Sequence, residues 1–206
     1  MINDDSWKWF GKKKGLLYSI YDNTRILLNK KLVNYIIKQS KKDSLIVLEA
    51  GSGPGQGSVF MSMKKEVKLA IALDHDQNAL NSNPYSNIKF MKIVSDLIYL
   101  PFPNKSVDII WNSSTMEHLD DNSFEIAVKE IYRVLKDNGY IFIGVPYKFG
   151  PLGLSIFSGK NFQEWVGKLF TYKSLKKRLS SFRIISSKIY FFGFFICLLL
   201  RKKYSN

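Results

Sequence analysis

The chain has 206 residues, 46% of them hydrophobic and 23% charged, with a formal net charge of +14. That length suits one domain with a real core. A single cysteine, Cys197, excludes an internal disulfide framework; with only two histidines beside it the common zinc sites are excluded too, and no metal is expected.

The positive charge is mostly lysine, spread along the chain. It is read first as solvated surface and second as attraction to an anionic partner, whether nucleic acid, a membrane surface or a phosphorylated substrate. Arginine, the better reader of phosphates and bases, is scarce. No run of ~20 apolar residues is present, so no spanning helix is expected. The polar start MINDDSWKWFGKKKG is read as lacking a signal peptide. A cytoplasmic location is the expectation, with peripheral contact at the inner face of the membrane as its variant.

Residues 1–21 mix Trp7, Trp9, Phe10, Tyr18 and Tyr21 with Lys12 to Lys14. Such a mixture suits an arm packed on the core, or a lid or membrane-facing segment. The pattern predicts a helix over Asp22–Lys38, capped by Asn23, with Leu28, Leu32, Tyr35 and Ile36 on its apolar face. Leu45–Leu48 reads as a buried strand closed by Glu49. Gly51, Gly53, Gly55 and Gly57 then alternate through a tight turn into a helix over Ser58–Val67. Glycines let the backbone take positive φ, and free N–H groups at a helix start favour a negatively charged ligand group. A second strand, Leu69–Leu73, ends at Asp74, with His75 and Asp76 next. A third, Asn87–Val94, runs into Ser95-Asp96-Leu97. Pro101 and Pro103 break the chain before a fourth strand, Val107–Trp111.

The clearest helix is Asn122–Lys136. Asn122 with Glu125 resembles a capping box, Phe124, Ala127, Ile131, Val134 and Leu135 recur at helical spacing, and Gly139 follows as a stop. Tyr140–Val145 is a fifth strand, ended by Pro146. From Tyr147 to Tyr172 glycines alternate with aromatics: Phe149, Phe157, Phe162, Trp165 and Phe170. Ser174–Leu179 reads as a short basic helix. Phe182–Phe192 and Phe194–Leu200 read as a strand pair turned at Gly193. The apolar stretch within it, Ile189–Leu200, is too short to span a bilayer, and its second reading is an in-plane anchor with basic flanks. Strands alternating with helices imply a parallel sheet covered on both faces, with ligands at the carboxyl ends of its strands.

The glycine spacing narrows the ligand. Neither count through Gly51 to Ser58 completes the strict G-x-G-x-x-G dinucleotide pattern, and no Gly-Lys-Ser/Thr phosphate loop is present. An acid some twenty residues past the glycines, Asp74, takes hydrogen bonds from ribose hydroxyls in either kind of adenosine site. The segment Glu49 to Gly55, acidic-x-Gly-x-Gly-x-Gly, resembles motif I of the class I S-adenosylmethionine (SAM) dependent methyltransferases. Further along stand Asp96, Leu100 to Pro103, Ser106, Asp108, Ser113, Glu117-His118-Leu119, Glu130, Arg133 to Lys136 and Gly139. Their order is similar to that of the small-molecule methyltransferases that include the ubiquinone and menaquinone enzymes, over roughly Leu45 to Pro146.

The resemblance implies an α/β, Rossmann-like, doubly wound and mostly parallel sheet with a C-terminal antiparallel strand and helices on both faces. It implies one domain over 1–206: an N-terminal arm and helix (1–42), a SAM-binding core (43–146), and an acceptor-pocket segment with the C-terminal strand pair (147–206). It places Glu49, Ala50 and the backbone of Gly51, Gly53 and Gly55 at the methionine end of SAM, and Asp74 at the ribose. His75 falls beside the ribose or adenine, or is a solvated loop histidine. Asp96 meets the adenine amino group or caps a turn, Leu97 lies beside the ring, and Asn112 lies under the methionine and sulfonium. Asp108 is read as holding loop backbone. For the proton that leaves an oxygen acceptor, His118 is the candidate base by position, or a structural histidine; Glu117 and Tyr147 are weaker candidates. The expected activity is methyl transfer to a small or lipid-linked acceptor, at oxygen ahead of carbon. The alternatives are an RNA methyltransferase and a SAM-fold protein that binds without transfer. An NAD-dependent oxidoreductase is disfavoured by the glycine spacing.

Overall fold

Short, β-branched and apolar runs that are buried on both sides make parallel strands, and this chain supplies five parallel strands, all but the edge strand buried, before an antiparallel pair. The computed structural model describes residues 16–83, 90–151, 153, 166–190 and 193–203. The elements are α1 (Leu16–Ser40), β1 (Leu45–Ala50), α2 (Gln56–Ser62), β2 (Val67–Asp74), α3 (Gln77–Asn81), β3 (Met91–Val94), β4 (Val107–Ser113), a 3-10 turn (Met116–His118), α4 (Asp121–Val134), β5 (Leu135–Pro146), α5 (Tyr172–Arg178), β6 (Phe182–Tyr190) and β7 (Phe195–Lys202). The seven strands form one sheet in the order β3-β2-β1-β4-β5-β7-β6. The pairs from β3 through β5 are parallel, and β7 runs antiparallel to both β5 and β6. Chain order reverses between β1 and β4, so the crevice of this sheet opens at their carboxyl ends.

Alternation along the strands feeds two cores. On one face Ile110, Ile143, Leu198 and Leu200 pack with Phe124, Ile131 and Val134 of α4 and Leu175 of α5. On the other, Val47, Ile109, Phe142 and Leu199 pack with Leu32, Val33 and Ile36 of α1 and Phe60 of α2. Trp111 stacks on Phe142 there, with ring centroids 4.2 Å apart.

β7 is flanked by strands on both sides and contributes to both cores, which explains its unbroken apolar run. Phe195–Lys202 is therefore an interior strand, and the in-plane anchor reading of this segment falls. Gly193, at φ +88, makes the turn before it. Cys197 is buried in β7, and burial pushes its thiol up to about 12. The thiolate is the nucleophile. Native protein at pH 8 should therefore leave Ellman's reagent unreacted until denaturant is added. A fast, stoichiometric reaction of folded protein would contradict this placement.

The LPFP and E-x-x-R segments are two halves of one clamp. Arg133 of α4 donates to the carbonyls of Leu100 (2.8 Å) and Phe102 (2.7 Å), while Glu130 accepts from the Leu100 N–H at 2.9 Å. The two side chains also pair directly at 2.7 Å. The pairing holds the Glu130 carboxyl below its ordinary range and raises Arg133. Asp108, at the amino end of β4, accepts from the Ile46 N–H (3.1 Å) and the Lys136 ammonium (2.7 Å), far from the crevice end, as its backbone-holding role requires.

Several boundaries differ from the sequence expectation. α1 begins at Leu16, so Asn23 lies inside the helix rather than at its cap, and Tyr35 is exposed instead of facing the core. α2 stops at Ser62, because Val67 already pairs in β2. Asp120, not Asn122, caps α4: its Oδ1 accepts the Ser123 N–H at 2.8 Å. α4 ends at Val134, and Leu135 opens β5. Gly139 is not a helix stop. A Cβ there would lie 2.8 Å from the Asp108 carbonyl oxygen and 2.9 Å from that of Lys136, so glycine permits a close backbone approach. Trp7, Trp9, Phe10, Lys12 to Lys14, Phe157, Phe162 and Trp165 lie outside the described residues, as does Asn87–Lys89 of the expected third strand.

Candidate functional site

The carboxyl end of β1 turns sharply through three left-handed glycines, Gly51 (φ +71), Gly53 (φ +52) and Gly55 (φ +78). Neighbouring strand ends hold this loop on both sides. From β2, the Leu73 carbonyl accepts the N–H groups of Gly51 (2.8 Å) and Ser52 (2.9 Å), and Asp74 Oδ2 accepts the Gly53 N–H at 2.6 Å. Asp74 Oδ1 takes the Asp76 N–H at 3.0 Å, with His75 Nδ1 3.3 Å away. From β4, Asn112 Nδ2 donates to the Ala50 carbonyl at 2.7 Å, and Thr115 Oγ1 donates to the Gly51 carbonyl at 2.9 Å.

Glu49 reaches past the loop to the start of α2. Its two oxygens accept the N–H groups of Gly57 (2.9 Å) and Ser58 (2.5 Å). Gly57 must be glycine for this, since a Cβ would sit 2.6 Å from Glu49 Oε1. The first-turn donors expected to greet an anionic ligand are thus already taken by a carboxylate. A pyrophosphate would meet negative charge there, which physically disfavours a dinucleotide.

Asn112 is fully buried, and its Oδ1 has no hydrogen-bond partner. A buried acceptor left unpaired costs about 1–3 kcal/mol unless a ligand satisfies it. Beyond β3, Asp96 Oδ1 accepts the Ile98 N–H at 3.1 Å, so this side chain shapes the turn, and Leu97 is buried in the core. The Ser95 N–H binds the Asp74 carbonyl at 3.0 Å and holds this turn against the end of β2.

On the 3-10 turn after β4, Glu117 is buried, and its Oε2 has no partner. Burial pushes its carboxyl up to about 8, opposed by its own and the Thr115 backbone N–H. Burial also pushes His118 down, so its imidazole is neutral at pH 7. Gly167, at φ +70, lies so close that a Cβ would meet Glu117 Cγ and His118 Nδ1 at 3.0 Å. The Lys168 N–H fastens this strap to the Glu117 carbonyl at 2.9 Å. Tyr147 bridges to Phe170 by backbone, and its ring meets that of Phe149 edge-on at 5.8 Å. Phe170 is not a pocket aromatic: it is buried against Phe124.

Residues 48–143 match the family model of a methyltransferase domain. A probable S-adenosylmethionine-dependent methyltransferase of Mycobacterium tuberculosis is 33% identical over 102 residues, covering 48% of this chain and 35% of that relative. Phosphoethanolamine N-methyltransferase 3 of Arabidopsis thaliana is 30% identical over 101 residues, covering 47% and 20%. The match thus spans about a third or less of these relatives. Magnesium protoporphyrin IX methyltransferase of Synechocystis, solved with bound SAM, superposes with a TM-score of 0.70 at 11% identity, over 97% of this chain and 90% of that one. These likenesses bear out the fold class expected from the sequence.

SAM is the cofactor named for the mycobacterial relative and bound in the Synechocystis structure, and the residues present here fit it. The unpaired Asn112 Oδ1 offers an acceptor where a cationic, phosphate-free ligand is expected. Each Asp74 oxygen already holds one N–H and retains a second lone pair for a hydroxyl. The domain therefore brings Glu49, Ala50, Gly51, Gly53, Gly55, Asp74 and Asn112 into one bonded cluster. His75 adjoins it through Asp74, and Asp96 and Leu97 follow the next strand. Thr115 was missed in the sequence. Its signal, a small hydroxyl between Ser113 and the Glu117-His118 pair, is weak until the strand end is placed against Gly51.

Proposed function

We propose that the protein transfers the methyl group of SAM to a small or lipid-linked acceptor, at oxygen ahead of carbon. The observation that carries this reading is Glu49 capping α2: a glycine loop whose helix start is closed to phosphate suits SAM and not NAD. SAM supplies a methyl already activated by its sulfonium. Glu49, Ala50 and Gly51 to Gly55 would hold its methionine end, with Asn112 Oδ1 receiving positive charge. Asp74 would take the ribose, with His75 nearby, and Asp96 and Leu97 the adenine.

The chain's own work is positioning, exclusion of water and handling of a proton. Positioning is worth on the order of 7–11 kcal/mol. An oxygen acceptor must release a proton, and Glu117 and His118 both stand ready on the turn after β4. His118 is neutral and able to accept; Glu117, with its carboxyl pushed up to about 8, holds or releases a proton near neutral pH. Glu117 thereby joins His118 as a leading base candidate. The plant relative's name includes N-methylation, so amines belong in the acceptor screen beside phenols and lipid-linked hydroxyls.

Thermal unfolding with SAM, S-adenosylhomocysteine or NAD added separately tests the cofactor. At ~100-fold over the dissociation constant, the ligand should stabilise the protein by about 2.7 kcal/mol. A shift with the first two only, lost in Asp74→Ala, is expected. A shift with NAD would overturn the reading.

A further inference from the structure

Some of the described basic residues meet a carboxylate and others do not. Lys105, Lys136, Lys168, Arg133 and Arg178 each meet a carboxylate. Lys173, Lys176 and Lys177 of α5, with Arg183 and Lys188 of β6, meet none among the described residues. The sequence explains why: from Trp165 to the last residue, Asn206, there is no aspartate or glutamate, against ten lysines and arginines. β6 is the outermost strand and α5 leads directly into it, so these five cations gather at one edge of the sheet, α5 on the face of α4 and Lys188 on the face of α1.

The same end exposes apolar side chains. Ile189 is 53% exposed, Tyr172 41% and Ile185 37%. A slip in the β6–β7 register between Ile184 and Ser186 leaves Ile185 without a partner on β7. Aliphatic and phenolic side chains set among unpaired lysines are the composition of a surface that meets headgroups and the outermost acyl carbons.

We propose that the α5–β6 end of the sheet is a docking surface for an anionic phospholipid bilayer, lying on it without insertion of a helix. Charge complementarity selects this occupant: the segment carries ten cations and no acid of its own, and Asp121, the exposed carboxylate beside α5, is held by Lys168 and Arg178. A second copy pairing edge to edge is opposed, because antiparallel β6 strands would set Arg183 and Lys188 against their own cations. A nucleic acid would leave Ile185 and Ile189 unrewarded and would find arginine, the residue that reads phosphate in a fork, only once among the five. The surface lies at the far side of β5 and β7 from the glycine loop, and it does not depend on the methyl-transfer reading.

The test is sedimentation of the full chain with vesicles of phosphatidylcholine alone, or with about 30% phosphatidylglycerol, at low and high salt. Binding is expected only with the anionic lipid, weakening as salt rises. The triple variant Lys173→Glu, Lys176→Glu, Lys177→Glu should lower binding about tenfold or more, and Ile189→Ser should lower it at unchanged charge. Lys65→Glu, Lys68→Glu and Lys92→Glu, at the opposite β2–β3 end, should leave it nearly intact. Each variant is first checked for an unchanged SAM-induced thermal shift, which reports the cofactor site separately. Absence of binding to anionic vesicles at low salt overturns the proposal. So does equal loss from the two triple variants, which would mean diffuse net charge, or binding of polyuridylate without binding of vesicles.

Discussion

Glu117→Gln will make the protein more stable at pH 8 while leaving it nearly unchanged at pH 4.5. The folded state keeps the Glu117 proton up to about pH 8, whereas the unfolded chain releases it near the ordinary value of 4.5. Between those values the unfolded state binds fewer protons, so stability falls as pH rises, and the loss levels off above pH 8. The burial penalty amounts to about 3 kcal/mol at pH 7 and about 5 above pH 8. Glutamine has the shape of the protonated acid and no charge to bury. For a chain of this size about 3 kcal/mol corresponds to roughly 10 °C in Tm at pH 7. The neighbouring groups do not mimic this window: His118 is pushed down, and the Lys168 ammonium is held by Asp121. Melting curves of both proteins from pH 4.5 to 9 decide it. A difference that is absent, or constant across pH, would mean Glu117 does not hold a proton in the native state.

The same variant separates structure from function. A merely structural acid would be replaced by glutamine with gain and no loss. A base for the acceptor proton would show stabilisation together with a drop in kcat of about 10²–10⁴. Gaining stability at the cost of activity is the signature of a group kept buried and unpaired for its chemistry.

Most of what positions the site was legible before any coordinates. Local chemistry sufficed for the β1 strand, the alternating glycines and Asp74, because buried strands and positive-φ turns leave strong, short-range marks in sequence. The order of the motifs carried the resemblance that implied a doubly wound, mostly parallel sheet. What escaped was governed by long-range contacts. Gly139 looked like a helix stop, yet its reason is the close backbone of Asp108 across the strand pair and of Lys136 earlier in its own strand. Glu49 was placed at the methionine end by its motif, and what escaped is that its two oxygens also hold the first turn of α2. Asn122 lost the cap to Asp120 by two residues, since both side chains suit the position. The apolar tail was read correctly as a strand pair, with an anchor as its second reading, because a strand flanked on both sides carries the same composition as an interfacial segment. Only its pairing partners distinguish the two.

Gly51→Ala should be the most damaging single substitution in the loop. The residue sits at φ +71, and its missing Cβ would lie 2.5 Å from Thr115 Oγ1 and 2.7 Å from Thr115 Cβ. The left-handed backbone alone costs alanine about 1–2 kcal/mol. Forcing the overlap apart costs a further 1–3 kcal/mol or so and displaces the Thr115 bond to the Gly51 carbonyl. Since β1 and β4 meet through that bond and through Asn112, the displacement opens the cluster that would receive the cofactor. Urea unfolding should therefore show a midpoint lower by an amount equivalent to roughly 2–5 kcal/mol, and the SAM-induced thermal shift should vanish. Thr115→Gly removes the overlap but not the backbone strain, so the double variant should recover part of the stability, with a coupling of about 0.5–3 kcal/mol. Additive losses would show that Thr115 yields without cost. A Gly51→Ala protein with its urea midpoint and SAM shift intact would mean that the β1–β4 junction does not shape the cofactor loop.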